Sequence, residues 1–172
     1  MNFDLHQSLK LLSNTPNVIK QLLSPLTEAC LNQNEGEGTW TIKEVLAHLI
    51  VCEKTNWLPR IKLILSENQQ AFEPMDMGIH IEIAAASSMD ELLQEFETLR
   101  AQCVKELEAM HLNEADLYKT GLHPKLGVVS LKQVLSTWTT HDLSHLSQIL
   151  RIMAKQNKDF VGGFETFLRI LK

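Results

Sequence analysis

Positive charge is scarce in this chain and nowhere concentrated. Lys and Arg total 16 against 21 Asp and Glu, a formal net charge of -5, and the isoelectric point is about 5.8. There is no run of clustered Lys and Arg and no interleaving of basic with aromatic residues. The electrostatic footprint that a polyanion needs is therefore missing, and a nucleic acid is not expected as a partner. Long apolar runs are missing too: none approaches the roughly 20 residues that span a bilayer. The mixed start Met1-Asn2-Phe3-Asp4-Leu5 has neither the basic opening nor the apolar stretch of a secretory signal. Cysteine is sparse. Cys30, Cys52 and Cys103 are odd in number and far apart, which fits a reduced compartment better than a disulfide framework. They also lack the paired spacing of a structural zinc site. The expectation is a cytoplasmic protein with no membrane attachment. Repeats, low-complexity tracts and interdomain linkers are absent as well, and few stretches alternate as strands do.

What is present is helical periodicity over a chain with 44% hydrophobic and 22% charged residues. That is enough apolar surface for one core, and residues 1–172 read as a single domain. Phe3, Leu5, Leu9 and Leu12 share a face in a first helix to about Ser13. Thr15-Pro16 reads as a cap followed by proline at the first helical position, so this helix is predicted to break or bend at residues 14–16. It resumes over Val18 to Leu23 and stops near Ser24-Pro25. Residues 32–39 form a polar loop. Thr41 and Glu44 make a capping box that opens a helix from Ile42 to about Leu65, with a kink or changeover at Pro59. Residues 67–86 read as a long crossover with a short helix at 79–86. A second capping box, Ser88 to Glu91, opens a long amphipathic helix carrying Leu92, Leu93, Phe96, Leu99, Val104 and Leu107. A connection with Gly121, Pro124 and Gly127 follows. A third box, Ser130 to Gln133, opens the last long helix, and an apolar tail from Phe160 to Leu171 is expected to pack back. The fold class is all-α, a four-helix bundle with a long crossover connection.

Of seven histidines, His141 and His145 stand four apart in the last long helix and point the same way. They continue the apolar stripe of Val134, Trp138, Ile149 and Ile152. Polar rings in such a stripe must find partners, and a divalent transition metal would satisfy both. The spacing alone also fits a hydrogen-bonded pair of histidines. His48 lies on a second apolar stripe with Val45, Leu49 and Cys52, and two helices that present inward histidines can converge in a bundle core. Three protein ligands plus solvent make an open site of the catalytic kind. Cys52, one turn beyond His48, reads as a small buried core residue that can also approach the site.

The run Thr39-Trp40-Thr41-Ile42-Lys43-Glu44-Val45-Leu46-Ala47-His48-Leu49 resembles the first motif of the DinB-like superfamily. The run Trp138-Thr139-Thr140-His141-Asp142-Leu143-Ser144-His145-Leu146-Ser147-Gln148-Ile149 resembles the second. The resemblance extends over nearly the whole chain. It implies a four-helix bundle of that family's type, a metal centre on His48, His141 and His145, and a homodimer. The family's metal varies among zinc, nickel, iron and manganese. Its members include S-transferases that use low-molecular-weight thiols, a mycothiol-dependent isomerase and uncharacterised hydrolases, so no single reaction follows.

Other candidates read more plainly. Asp142 is a solvated surface carboxylate or, alternatively, orients a neighbouring side chain. Glu53 reaches the edge of the site or makes a surface ion pair. Trp40 and Trp138 pack the core, with Trp138 also placed to wall a pocket. Gln148 hydrogen-bonds near the histidines or lies at the surface. His80, His111 and His123 fall in or near connections and are expected to be exposed, with His80 able to line the mouth of a site. No serine stands in a nucleophile motif, and no catalytic residue beyond the metal ligands is assigned. The expected function is a metal-dependent enzyme acting on a small molecule, either a hydrolase or a thiol S-transferase. The alternatives are a non-enzymatic metal- or ligand-binding bundle, of a stress-related kind, and a plain bundle without metal. An enzyme would have a pocket open at the metal and walled by the crossover; a storage site would be closed by a fourth protein ligand.

Overall fold

The computed structural model describes residues 3–67 and 70–172; Met1, Asn2 and residues 68–69 of the crossover lie outside the described residues. Helix α1 (Leu5–Leu23) starts at Asp4, whose carboxylate accepts from the Gln7 amide. It runs unbroken through Pro16, against the break expected at residues 14–16. The physical reason is a substitute donor. Proline has no N–H, so the Leu12 carbonyl four residues back loses its helical partner. Arg100 Nη1 takes that place at 2.9 Å. Thr15 is not a cap; its hydroxyl donates back to the Leu11 carbonyl at 3.0 Å.

A single turn, α2 (Glu28–Leu31), precedes the polar loop. Helix α3 (Ile42–Thr55) opens on the Thr41–Glu44 capping box as expected. The changeover comes at Asn56, three residues ahead of Pro59, so that the proline sits in the first turn of α4 (Trp57–Leu65). There its missing N–H has no intrahelical partner to lose. Helix α5 (Ile79–Ala86) is the short helix of the crossover, and α6 (Met89–Ala109) and α7 (Leu131–Lys155) open on the Ser88–Glu91 and Ser130–Gln133 boxes.

The connection between α6 and α7 contains a hairpin, β1 (Thr120–His123) against β2 (Gly127–Ser130), antiparallel with Thr120 opposite Ser130. Strands of four residues are too short to show alternation. Gly121 is required by close approach: a Cβ there would stand 2.7 Å from the Phe72 ring and 2.8 Å from Ile64.

Helices α1 and α3 each pack on both α6 and α7, and α5 covers α3. Two apolar clusters fill the bundle. One holds Ile19, Leu46, Leu49, Phe96 and Ile149; the other holds Leu12, Trp57, Ile61, Leu107 and Trp138. Helices α3 and α6 run from the first cluster to the second, while α1 and α7 run from the second to the first. Neighbouring α3 and α6 are therefore parallel, which requires the long crossover through α4 and α5. In the apolar tail only Leu171 is buried, and Phe160, Phe164 and Phe167 are 86%, 74% and 81% exposed. Among the described residues, no helix is long and apolar enough to cross a membrane.

Candidate metal centre

The candidate site lies midway along the bundle, where the apolar clusters meet. His48 enters from α3, and His141 and His145 enter from α7. His141 Nε2 is 3.1 Å from His48 Nε2 and 3.2 Å from His145 Nε2. A proton can bridge one such pair of nitrogens but cannot serve three. Two imidazole nitrogens on one zinc-like ion, each about 2.0–2.1 Å from it, stand about 2.9–3.4 Å apart, so each of these two spacings fits a pair of nitrogens on one divalent ion. His145 Nδ1 lies 2.9 Å from Gln148 Oε1. An amide oxygen only accepts, so the ring hydrogen sits on Nδ1 and the Nε2 lone pair is free. Of its two readings, Gln148 thus takes the hydrogen bond near the histidines. His141 Nδ1 is buried without a partner among the described residues.

The electrostatics favour neutral rings, the form in which an imidazole can take a metal. Burial, and then the neighbouring His145 and His80, pull His48 down to about 3. Burial, with His145, His48 and Arg100 adding to it, pulls His141 down to about 3. Burial also lowers His145, against the pull of Gln148. In the unfolded chain these groups protonate near the ordinary value of about 6.5. Between that pH and about 3 the unfolded state binds more protons, so stability is intact above pH 6.5 and falls as the pH drops. Metal-free protein should lose at least about 1.4 kcal/mol per pH unit across pH 6 to 4. Urea titrations at stepped pH measure this, and a flat profile would contradict the buried neutral rings.

Beside the histidines lies a buried ionic layer. Arg100 of α6, 1% exposed, meets Glu53 of α3 and Asp142 of α7, at 3% and 2%. Its Nε and Nη2 donate to the two Glu53 oxygens at 3.0 and 2.8 Å. Nη2 and Nη1 donate to the two Asp142 oxygens, and Nη1 also donates to the Leu12 carbonyl. All five guanidinium hydrogens are used, and the residue ties together all four long helices. Trp138 Nε1 completes Glu53 at 3.0 Å. Burial pulls the guanidinium down, but Asp142 and then Glu53 outweigh it and hold Arg100 above its ordinary value. Burial pushes the Glu53 carboxyl up, against Arg100. The readings of Asp142 and Glu53 as surface carboxylates are thereby corrected, and Arg100 was missed. The signal was available: Phe96, Arg100, Val104 and Leu107 fall at helical spacing, so the arginine stands in the apolar stripe.

The walls come from three segments. Trp40 lies 4.8 Å from His48 and 6.1 Å from His145, ring centre to ring centre. Its loop is fastened to α7 by Glu35, which takes two hydrogen bonds from Arg151. The crossover supplies Met75, whose sulfur is 3.5 Å from Cys52 Sγ, and His80. His80 is 1% exposed, not in the open as expected, because α5 packs it against α3, with its ring 4.3 Å from Trp40 and 5.6 Å from His48. Neither of its nitrogens has a partner among the described residues. His111 is exposed and His123 half-buried. Cys52 Sγ approaches His48 Nε2 to 3.5 Å and His141 Nε2 to 4.0 Å. Burial, reinforced by Glu53, pushes its thiol up to about 12. A cavity of about 510 Å³ at the hairpin, lined by Ile64, Gly121 and Val128, touches none of these groups.

The sequence model of the DinB superfamily matches residues 11–149. The chain is 24% identical over 147 residues to a Bacillus cereus protein named "Putative metal-dependent hydrolase", covering 85% of this chain and 83% of that one. It is 22% identical over 157 residues to an Oceanobacillus iheyensis protein of like name, covering 91% and 90%. Among solved structures it resembles YfiT from Bacillus subtilis, with a TM-score of 0.79 and 20% identity over 89% of this chain and 87% of that one. YfiT is described as a probable metal-dependent hydrolase with an unusual four-helix bundle topology.

Proposed function

From the premise that the chain belongs to the DinB superfamily, we propose that it is a metal-dependent hydrolase of a small-molecule substrate, with one divalent transition metal on Nε2 of His48, His141 and His145. The observation that carries this reading is the approach of the His48 and His145 Nε2 atoms to His141 Nε2, at 3.1 and 3.2 Å. The names of the relatives support the metal dependence. An all-imidazole set suits zinc, iron or nickel better than manganese, which favours oxygen donors.

The protein's part is to hold and orient. Gln148 fixes the His145 tautomer, and the Asp142–Arg100–Glu53 layer fixes α7 and α3 against each other, beside the three rings. Trp40 and Met75 exclude bulk water from one side. When bound, a divalent ion in a three-ligand site makes water acidic enough to supply hydroxide near neutral pH and polarises an ester or amide carbonyl.

A second ligand set, His48, Cys52 and His141, has its donor atoms within 4.8 Å of one another. The thiolate is the ligating form, and a thiol pushed up to about 12 opposes it. The function is tested with untagged protein on small p-nitrophenyl esters and amides. Turnover should vanish on chelation and return with added zinc, iron or nickel; turnover that survives chelation overturns the reading. Turnover seen only when a low-molecular-weight thiol is added would move the reaction to S-transfer.

A further inference from the structure

Across the Trp57 ring from the histidines lies a cavity of about 410 Å³, within the size range of small-molecule sites. Trp57 separates the two: it lines the cavity, and its ring meets that of His141 edge-on at 5.2 Å. Phe72, Val129 and Val134 make much of the wall apolar, and Arg60 and Lys132 supply charge of one sign. Among the described residues no carboxylate lines the cavity.

Arg60 is the telling group. It is half-buried on α4, and its guanidinium lies over the Phe72 ring at 5.2 Å. Its Nε is buried with no hydrogen-bond partner, and it makes no ion pair among the described residues. Arg100 and Arg151, by contrast, each grip a carboxylate with two nitrogens. Burial pulls Arg60 below its ordinary value, opposed only by the Cys52 thiol and by no carboxylate. A half-buried cation without a counter-charge attracts an anion, and a guanidinium fork matches a carboxylate in two-point geometry. The first turn of α7, which borders the cavity through Lys132 and Gln133, adds the partial positive charge of a helix N-terminus.

We propose that this cavity binds a small organic anion, an apolar body bearing one carboxylate, with the carboxylate on Arg60 and Lys132 and the body against Phe72, Val129 and Val134. That the anion is the substrate of the adjacent centre rests on the metal reading; the binding itself does not.

The probes are octanoate and its neutral counterpart octanamide, titrated calorimetrically into wild type and into Arg60→Gln, Lys132→Gln and His141→Ala variants whose folding is checked by circular dichroism. Octanoate should bind wild type at least about tenfold more tightly than octanamide, the scale of one charge-assisted contact. Arg60→Gln and Lys132→Gln should each weaken octanoate by about fivefold or more and leave octanamide within about twofold. His141→Ala should bind octanoate as wild type does. Equal binding of the two probes, binding of neither, or unchanged octanoate affinity in both charge variants overturns the proposal. So does octanoate binding that is lost in His141→Ala but kept in Arg60→Gln, which would place the carboxylate at the histidines. Failure of the metal reading would appear separately, as absent metal with anion binding intact.

Discussion

Replacing Arg100 with leucine should unfold the protein under conditions in which the wild type is fully folded. The change leaves Glu53 and Asp142, 3% and 2% exposed, without their counter-charge. Removing one partner of a buried ion pair costs roughly 3–5 kcal/mol. It also orphans the Leu12 carbonyl beside Pro16, roughly 1–3 kcal/mol more. A domain of this size has only about 5–15 kcal/mol in total. Urea denaturation followed by circular dichroism gives the answer. A loss below about 1 kcal/mol would mean that the layer does not tie the four helices together. Removing the charges together, with leucine at Arg100, Glu53 and Asp142, should recover much of the loss, because no uncompensated ion then remains.

His141→Ala is expected to abolish metal retention. His141 is the shared member of both short nitrogen contacts, so its loss leaves His48 and His145 without a common neighbour. Losing a group that merely orients a ligand already weakens metal binding by about 10–100-fold, and losing the central ligand should exceed that. Turnover in the ester and amide assay should fall with it. The same variant in metal-free form should be less sensitive to acid, since one buried neutral imidazole is gone. Competition against a chromogenic chelator measures the affinity, and wild-type affinity in the variant would remove His141 from the centre.

The helix starts were legible because capping boxes are local. Thr41–Glu44, Ser88–Glu91 and Ser130–Gln133 each need only four consecutive residues to announce themselves, and each forms. The inward histidines were legible for a related reason: a polar ring on an apolar stripe is visible in one helix at a time. What stayed hidden depends on partners distant in sequence. Nothing near Pro16 says that an arginine 88 residues beyond Leu12 will take up the carbonyl that the proline frees, so a break is the natural expectation. Asp142 is one residue past His141 and so stands about 100° round the helix from it, yet it also follows Trp138 by four residues and precedes Ile149 by seven, which places it in the buried stripe. His80 was placed at the surface because the crossover looked like a connection, and the packing of α5 onto α3 is a tertiary event.

Metal content reads out the identity of the ligand set. Elemental analysis of untagged wild type, His145→Ala and Cys52→Ser, purified side by side, distinguishes the two groupings that the geometry allows. About one transition metal per chain is expected in wild type and in Cys52→Ser, and next to none in His145→Ala. Metal kept by His145→Ala and lost by Cys52→Ser would instead make His48, Cys52 and His141 the ligands.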